Sequence, residues 1–238
     1  MTQRASVPDV RVISIGALAS NPLWNERGAV RTGHATTTLI RAGGASILVD
    51  PGLPEQAIAA RLRERTGRGP ESITHVFLTS FAPETTRGLD VFEDAEWLIH
   101  GPEREGLGAF LATRLRDLIK SGIDSEEDRT LKERLEADVA RLRKCKAAED
   151  TIAPGVDLFP LPGVTPGLCG LLVEHPGRTI LITGDAVATQ EHLEQGKVLP
   201  GAADVKLAQE SFAEAVEIAD VMVLGRDNLV LNPARRPF

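Results

Sequence analysis

The sequence predicts an α/β fold of the α+β type, in which mixed β-sheets are covered by helices. Three observations lead there. Short apolar runs alternate in strand fashion and come in hairpin pairs. Amphipathic helical stretches stand between those runs. A long, heavily charged helical stretch at about 103–149 separates the first group of strands from the second.

Each element has a local reason. Residues 10–15 alternate as a strand. Residues 36–41 and 45–49 are two more, joined by Gly43-Gly44, a hairpin signal, and stopped by Asp50-Pro51-Gly52. Residues 54–66 have helical period, with Ile58 and Leu62 on one face. Residues 75–79 and 96–100 are short apolar runs of the kind buried strands show. Leu107, Phe110, Leu111, Leu115, Leu118 and Ile119 then fall at helical spacing, and Gly122 ends that segment. Residues 126–149 hold seven acidic and seven basic residues in 24 positions, with Leu131, Leu135, Val139 and Leu142 as a narrow apolar stripe. This predicts a charged helix laid on the surface, its opposite charges suited to i,i+4 pairing; a partner-binding helix is the alternative. Residues 157–161, 169–175 and 179–183 return to strand character, with Pro176-Gly177 as a turn. Residues 205–219 are helical by period, and 221–224 closes with a strand.

Composition narrows the function. The chain has 238 residues, 42% of them hydrophobic, and a single domain over 1–238 is expected. A net charge of −7 argues against general nucleic-acid binding, and Arg235 with Arg236 is too small a cluster to count as a basic patch. The N-terminal stretch MTQRASVPDVRV has no apolar run of signal-peptide length, and no stretch approaches the ~20 apolar residues of a membrane span. Cys145 and Cys169 lie far apart in dissimilar surroundings, so no disulfide is expected and a cytoplasmic location is.

Residues 76–89, VFLTSFAPETTRGL, fit without a gap the pattern V-x-L-T-H-x-H-x-D-H-x-x-G-L. Residues 46–52, SILVDPG, follow a strand ending in Asp-x-Gly. Residues 161–167, LPGVTPG, follow a P-G-H-T-P-G turn. Residues 180–186, ILITGDA, follow the strand that delivers a bridging aspartate, and 223–228, VLGRDN, follow a closing strand with a histidine. In this order and over this span, the chain resembles the metallo-β-lactamase superfamily. The resemblance implies a four-layered αββα sandwich of two mixed β-sheets, with the helical insert at about 103–149 where such proteins vary. It also implies a hydrolase scaffold in which a metal lowers the pKa of a bound water.

Carried over position by position, the slots for metal ligands hold Ser80, Ala82, Glu84, Thr85, Val164, Asp185 and Arg226. Imidazole is missing from every histidine slot. Ala82 and Val164 have no donor atom, and Arg226 brings a fixed positive charge to where a metal ion would sit. No resident cofactor is expected; weak Mg²⁺ or Ca²⁺ binding by Glu84 and Asp185 stays open. Arg226 is expected to replace the ion by pairing with Asp185, with Glu84 sharing it. The five histidines do not supply the missing ligands. His75, His175 and His192 read as structural or surface residues, while His34 and His100 sit at loop or strand ends that a cleft can approach. Cys169 reads as a small apolar strand residue rather than a nucleophile.

Two functions follow from the resemblance. One is a pseudoenzyme whose cleft binds a small molecule or a protein partner, with oligomer formation left open. The other is a hydrolase of altered chemistry for esters, thioesters, lactams or phosphodiesters. In it Glu84 and Asp185 act as a carboxylate pair or hold a hard ion, and Ser80 or Thr85 is a candidate nucleophile.

Overall fold

The computed structural model describes residues 7–235; the first six residues and Arg236 lie outside them. Its strands are β1 (Asp9–Ser14), β2 (Thr37–Ala42), β3 (Ala45–Val49), β4 (His75–Leu78), β5 (Glu96–Ile99), β6 (Lys146–Ala147), β7 (Thr151–Ala153), β8 (Val156–Pro160), β9 (Cys169–His175), β10 (Arg178–Ile182), β11 (Val221–Val223) and β12 (Leu229–Leu231). Its helices are α1 (Glu55–Thr66), α2 (Pro83–Thr86), α3 (Gly101–Ser121), α4 (Glu126–Lys144), α5 (Gln190–Gln195) and α6 (Val205–Ile218).

Two six-stranded sheets form, one in the order β1-β2-β3-β4-β5-β6 and the other β12-β11-β10-β9-β8-β7. Both are mixed. In the first, β1 to β3 pair antiparallel and β3 to β6 parallel. In the second, the β10–β11 pair is parallel and the others are antiparallel.

Period-2 alternation inside single strands builds the four layers. Ile47, Val49 and Phe77 face the second sheet, while Leu48, Val76 and Leu78 face the helices on the other side. Ile180, Ile182, Val221 and Val223 meet the first sheet, while Leu181 and Met222 turn outward to Phe212 and Ala215 of α6. β3, β4, β10 and β11 are apolar on both faces because each sheet is covered twice.

Three features differ from the sequence expectation. The insert is a helical hairpin followed by a strand. α4 stops at Lys144, and Lys146 and Ala147 add β6 to the first sheet beside β5. Ser125 starts α4 with a reciprocal cap: its hydroxyl accepts the Asp128 N–H at 3.0 Å, and the Asp128 carboxylate accepts the Ser125 N–H at 3.2 Å. The hairpin is also part of the core, since Leu111, Leu135 and Leu142 are buried against the first sheet. Its charged outer face is solvated, with Lys132 pairing with Glu136 one turn on. Finally, β7 and β12 are edge strands of only three residues, too short to show a strand pattern of their own.

Candidate functional site

The ends of β3, β4, β10 and β11 converge on one edge of the sandwich. β3 ends in Asp50, which is buried and has a left-handed φ of 49°. The Asp50 carboxylate accepts the Thr79 N–H at 2.9 Å and the Thr79 hydroxyl at 2.6 Å, so the tips of β3 and β4 are tied together. Thr37 donates its hydroxyl to the Asp50 carbonyl at 2.7 Å. Two residues on, Gly52 passes against the Glu84 carbonyl so closely that an added Cβ would overlap it. Burial pushes the Asp50 carboxyl up to about 7; the Thr79 hydrogen bonds oppose the rise, the Asp185 charge adds to it, and Arg226 opposes it.

The loop after β4 carries four of the seven slots. Ser80 is buried, and its carbonyl accepts the Thr85 hydroxyl at 2.8 Å. That hydroxyl also lies 2.9 Å from the Ala82 carbonyl and accepts the Ala82 N–H at 3.0 Å. Thr85 therefore staples its own loop, with its proton and one lone pair committed there. Ala82 is the N-cap of α2, and Glu84 is half-buried on that helix. Val164 packs beside the core on the outer face of the second sheet.

Asp185 follows β10 and Arg226 follows β11. Arg226 donates Nε–H to Asp185 Oδ1 at 2.7 Å and Nη2–H to Asp185 Oδ2 at 2.6 Å. Both groups are largely shielded from water, and the geometry is the two-pronged fork that an arginine makes with a carboxylate. Burial works against the Arg226 charge, but Asp185, with Glu84 and Asp50 farther away, outweighs it and holds the guanidinium pKa above its ordinary value. The expected pair is thus present. Glu84 contributes its charge, and among the described residues no hydrogen bond joins it to Arg226.

A second carboxylate organises the edge, and nothing in its sequence neighbourhood announces it. Glu103, at the start of α3, is buried. Its Oε1 accepts the Phe81 N–H at 3.2 Å, and its Oε2 accepts the Thr165 hydroxyl at 2.8 Å and the Gly167 N–H at 3.0 Å. It therefore links the 80–86 loop to the LPGVTPG turn. Gly167 lies so near the Glu103 backbone that a Cβ there would overlap it. His100 faces the Gly167 carbonyl through Nδ1 at 2.9 Å, while both ring nitrogens of His34 face backbone carbonyls, of Thr32 and Ile15. His192 is buried against the Thr189 hydroxyl at 2.9 Å. Burial pushes the thiols of Cys145 and Cys169 up to about 12, which leaves both inert as nucleophiles.

The donor set does not fit a bound metal. Ala82 and Val164 offer no side-chain donor atom, the Thr85 hydroxyl is engaged by its own loop, and both Asp185 oxygens are held by a cation. Among the described residues, no three His, Cys, Asp or Glu side chains stand together at a metal's reach. The space over Arg226, lined by Trp24, Arg31, Thr189 and Glu191 among others, is about 140 Å³, smaller than the roughly 300–1,000 Å³ of usual ligand pockets.

The sequence model of the family described as the metallo-beta-lactamase superfamily matches residues 30–80. No curated protein matches the chain by sequence. Among solved structures, a Thermotoga maritima protein assigned to the metallo-β-lactamases is similar at a TM-score of 0.65 and 17% identity, over 94% of this chain and 99% of that one. AidC, a dizinc quorum-quenching lactonase, is similar at 0.65 and 16%, over 95% and 88%. A single-site mutant of AiiA of B. thuringiensis, with N-decanoyl-L-homoserine bound at its active site, is similar at 0.58 and 20%, over 92% and 89%. The fold of this chain is the metallo-β-lactamase fold.

Proposed function

We propose that this chain is a divergent member of the metallo-β-lactamase superfamily that has exchanged its metal centre for an internal ion pair and acts as a binding or structural module, not a hydrolase. One observation carries the reading: the Arg226 fork engages both oxygens of Asp185, the aspartate that follows the ILITGDA strand. A carboxylate left buried without a positive partner costs several kcal/mol, and the guanidinium meets that need in place of an ion. The small space over Arg226 suits a single side chain or polar head group of a partner.

The competing reading is hydrolysis by Glu84 and Asp185, with a hard ion such as Mg²⁺ or with no metal. It requires Asp185 to leave Arg226. Elemental analysis of protein purified without chelator, followed by ester, lactone, lactam and phosphodiester substrates, separates the two. The module reading expects no stoichiometric zinc or iron and no turnover. One or two transition-metal ions per chain would overturn it, as would turnover that Glu84→Gln abolishes.

A further inference from the structure

The hairpin of α3 and α4 holds a groove of about 560 Å³, within the size range of small-molecule sites. None of its lining residues belongs to the converging strand ends. The floor is apolar and concave because Gly108 and Ala112 leave room beside Leu115, Ile119, Val139 and Leu142. From Arg104 to Ile119 it follows α3 for roughly 20 Å, at 1.5 Å per helical residue.

The walls are cationic. Arg104, Arg116, Lys120 and Arg143 line the groove, against the single carboxylate of Glu105. Among the described residues none of the four has an ion-pair partner. Of the other cations of the hairpin, Arg129 pairs with Glu126, Lys132 with Glu136 and Arg141 with Asp90, while Arg114, Arg134 and Lys144 also have no ion-pair partner among the described residues. On a chain of net charge −7 such a local excess of positive charge stands out.

We propose that this groove is a binding site for a single-chain amphipathic anion, an acyl carboxylate whose chain lies along Leu115 and Ile119 and whose head group meets Arg104 and Arg143. Apolar floor and cationic wall each select one half of such a ligand. A neutral amphiphile would leave the cations unanswered, and a small anion would leave the floor wet.

The test is calorimetric titration of the purified full chain with dodecanoate, dodecanol, dodecyltrimethylammonium and acetate, all below micelle formation. The proposal expects one saturable dodecanoate site per chain and binding at least about tenfold weaker for the other three, the difference that one charge-assisted hydrogen bond or a few buried methylenes supply. Ala112→Phe should fill the floor and remove binding, with the thermal melt showing that the chain still folds. The exposed variant Arg143→Glu should weaken dodecanoate binding by about tenfold or more at low salt. Equal affinity for the alcohol or the cationic amphiphile would overturn the proposal. So would dodecanoate binding that Ala112→Phe leaves intact, or adsorption to phosphatidylglycerol vesicles without binding of monomeric dodecanoate. None of these outcomes depends on the state of Asp185 and Arg226.

Discussion

The carboxylate of Glu103 accepts the backbone N–H of Gly167 at 3.0 Å, across 64 residues of chain. With its bonds to Phe81 and Thr165, this contact holds the two loops of the converging edge at a fixed separation. A metal would draw such loops together through their side chains; here a buried side chain draws them through their backbone.

Glu103→Gln should therefore destabilise the fold although it is nearly isosteric. The new NH₂ must face a backbone N–H, of Phe81 or of Gly167, and leaves it unpaired. The expected cost is on the order of 1–3 kcal/mol, read as a lower midpoint in urea unfolding at unchanged slope. An unchanged midpoint would show that the carboxylate is dispensable.

Thr85→Val tests whether the Thr85 hydroxyl is structural. Removing it leaves the Ala82 N–H without its acceptor, and a loss of roughly 1–3 kcal/mol is expected. A variant of full stability would free Thr85 for the chemical role that its position suggests.

Asp50 makes stability depend on pH with a definite sign. Its carboxyl is raised from 3.8 to about 7 in the folded chain. The folded state therefore binds the proton more tightly than the unfolded state. The contribution is fully present below the unfolded value, is lost as pH rises through about 7, and amounts to several kcal/mol at most. Asp50→Asn keeps the left-handed backbone accessible and removes the titration. The stability of the variant relative to the parent should climb between about pH 4 and pH 8. A difference that stays flat over that window would contradict the assignment.

The fold was legible where apolar residues alternate. The same alternation that marks residues 45–49 as a strand places Leu48 on one side and Ile47 and Val49 on the other, and so builds two of the layers. It was not legible at β6, β7 and β12, whose two or three residues become strands only because a finished sheet edge offers hydrogen bonds. Arg226 and Asp185 were legible as a pair because motif order puts their strands side by side and burial makes opposite charges seek each other. Glu103 was not, since its partners lie 22 to 64 residues away and only the packing of α3 brings them together. Asp50 was visible as the stop of the 45–49 strand, but its raised pKa comes first from burial, with the Asp185 charge adding to it, which no local pattern encodes.

Chelation should leave the fold unchanged, because the Asp50–Thr79, Glu103–Gly167 and Arg226–Asp185 contacts already hold the edge. Thermal unfolding with and without EDTA should coincide. A fall of more than ~5 °C, on the order of 1–2 kcal/mol for a domain of this size, would show that a metal binds the native state.

The central claim, that Arg226 stands in for an ion at Asp185, is tested most directly by a double-mutant cycle on stability. Arg226→Met alone leaves Asp185 buried without its cation and should cost roughly 3–5 kcal/mol. Adding Asp185→Asn should recover a large part of that loss, giving a coupling energy of about 1–3 kcal/mol. Additive losses, with coupling near zero, would mean that the two residues do not compensate each other and would contradict the account.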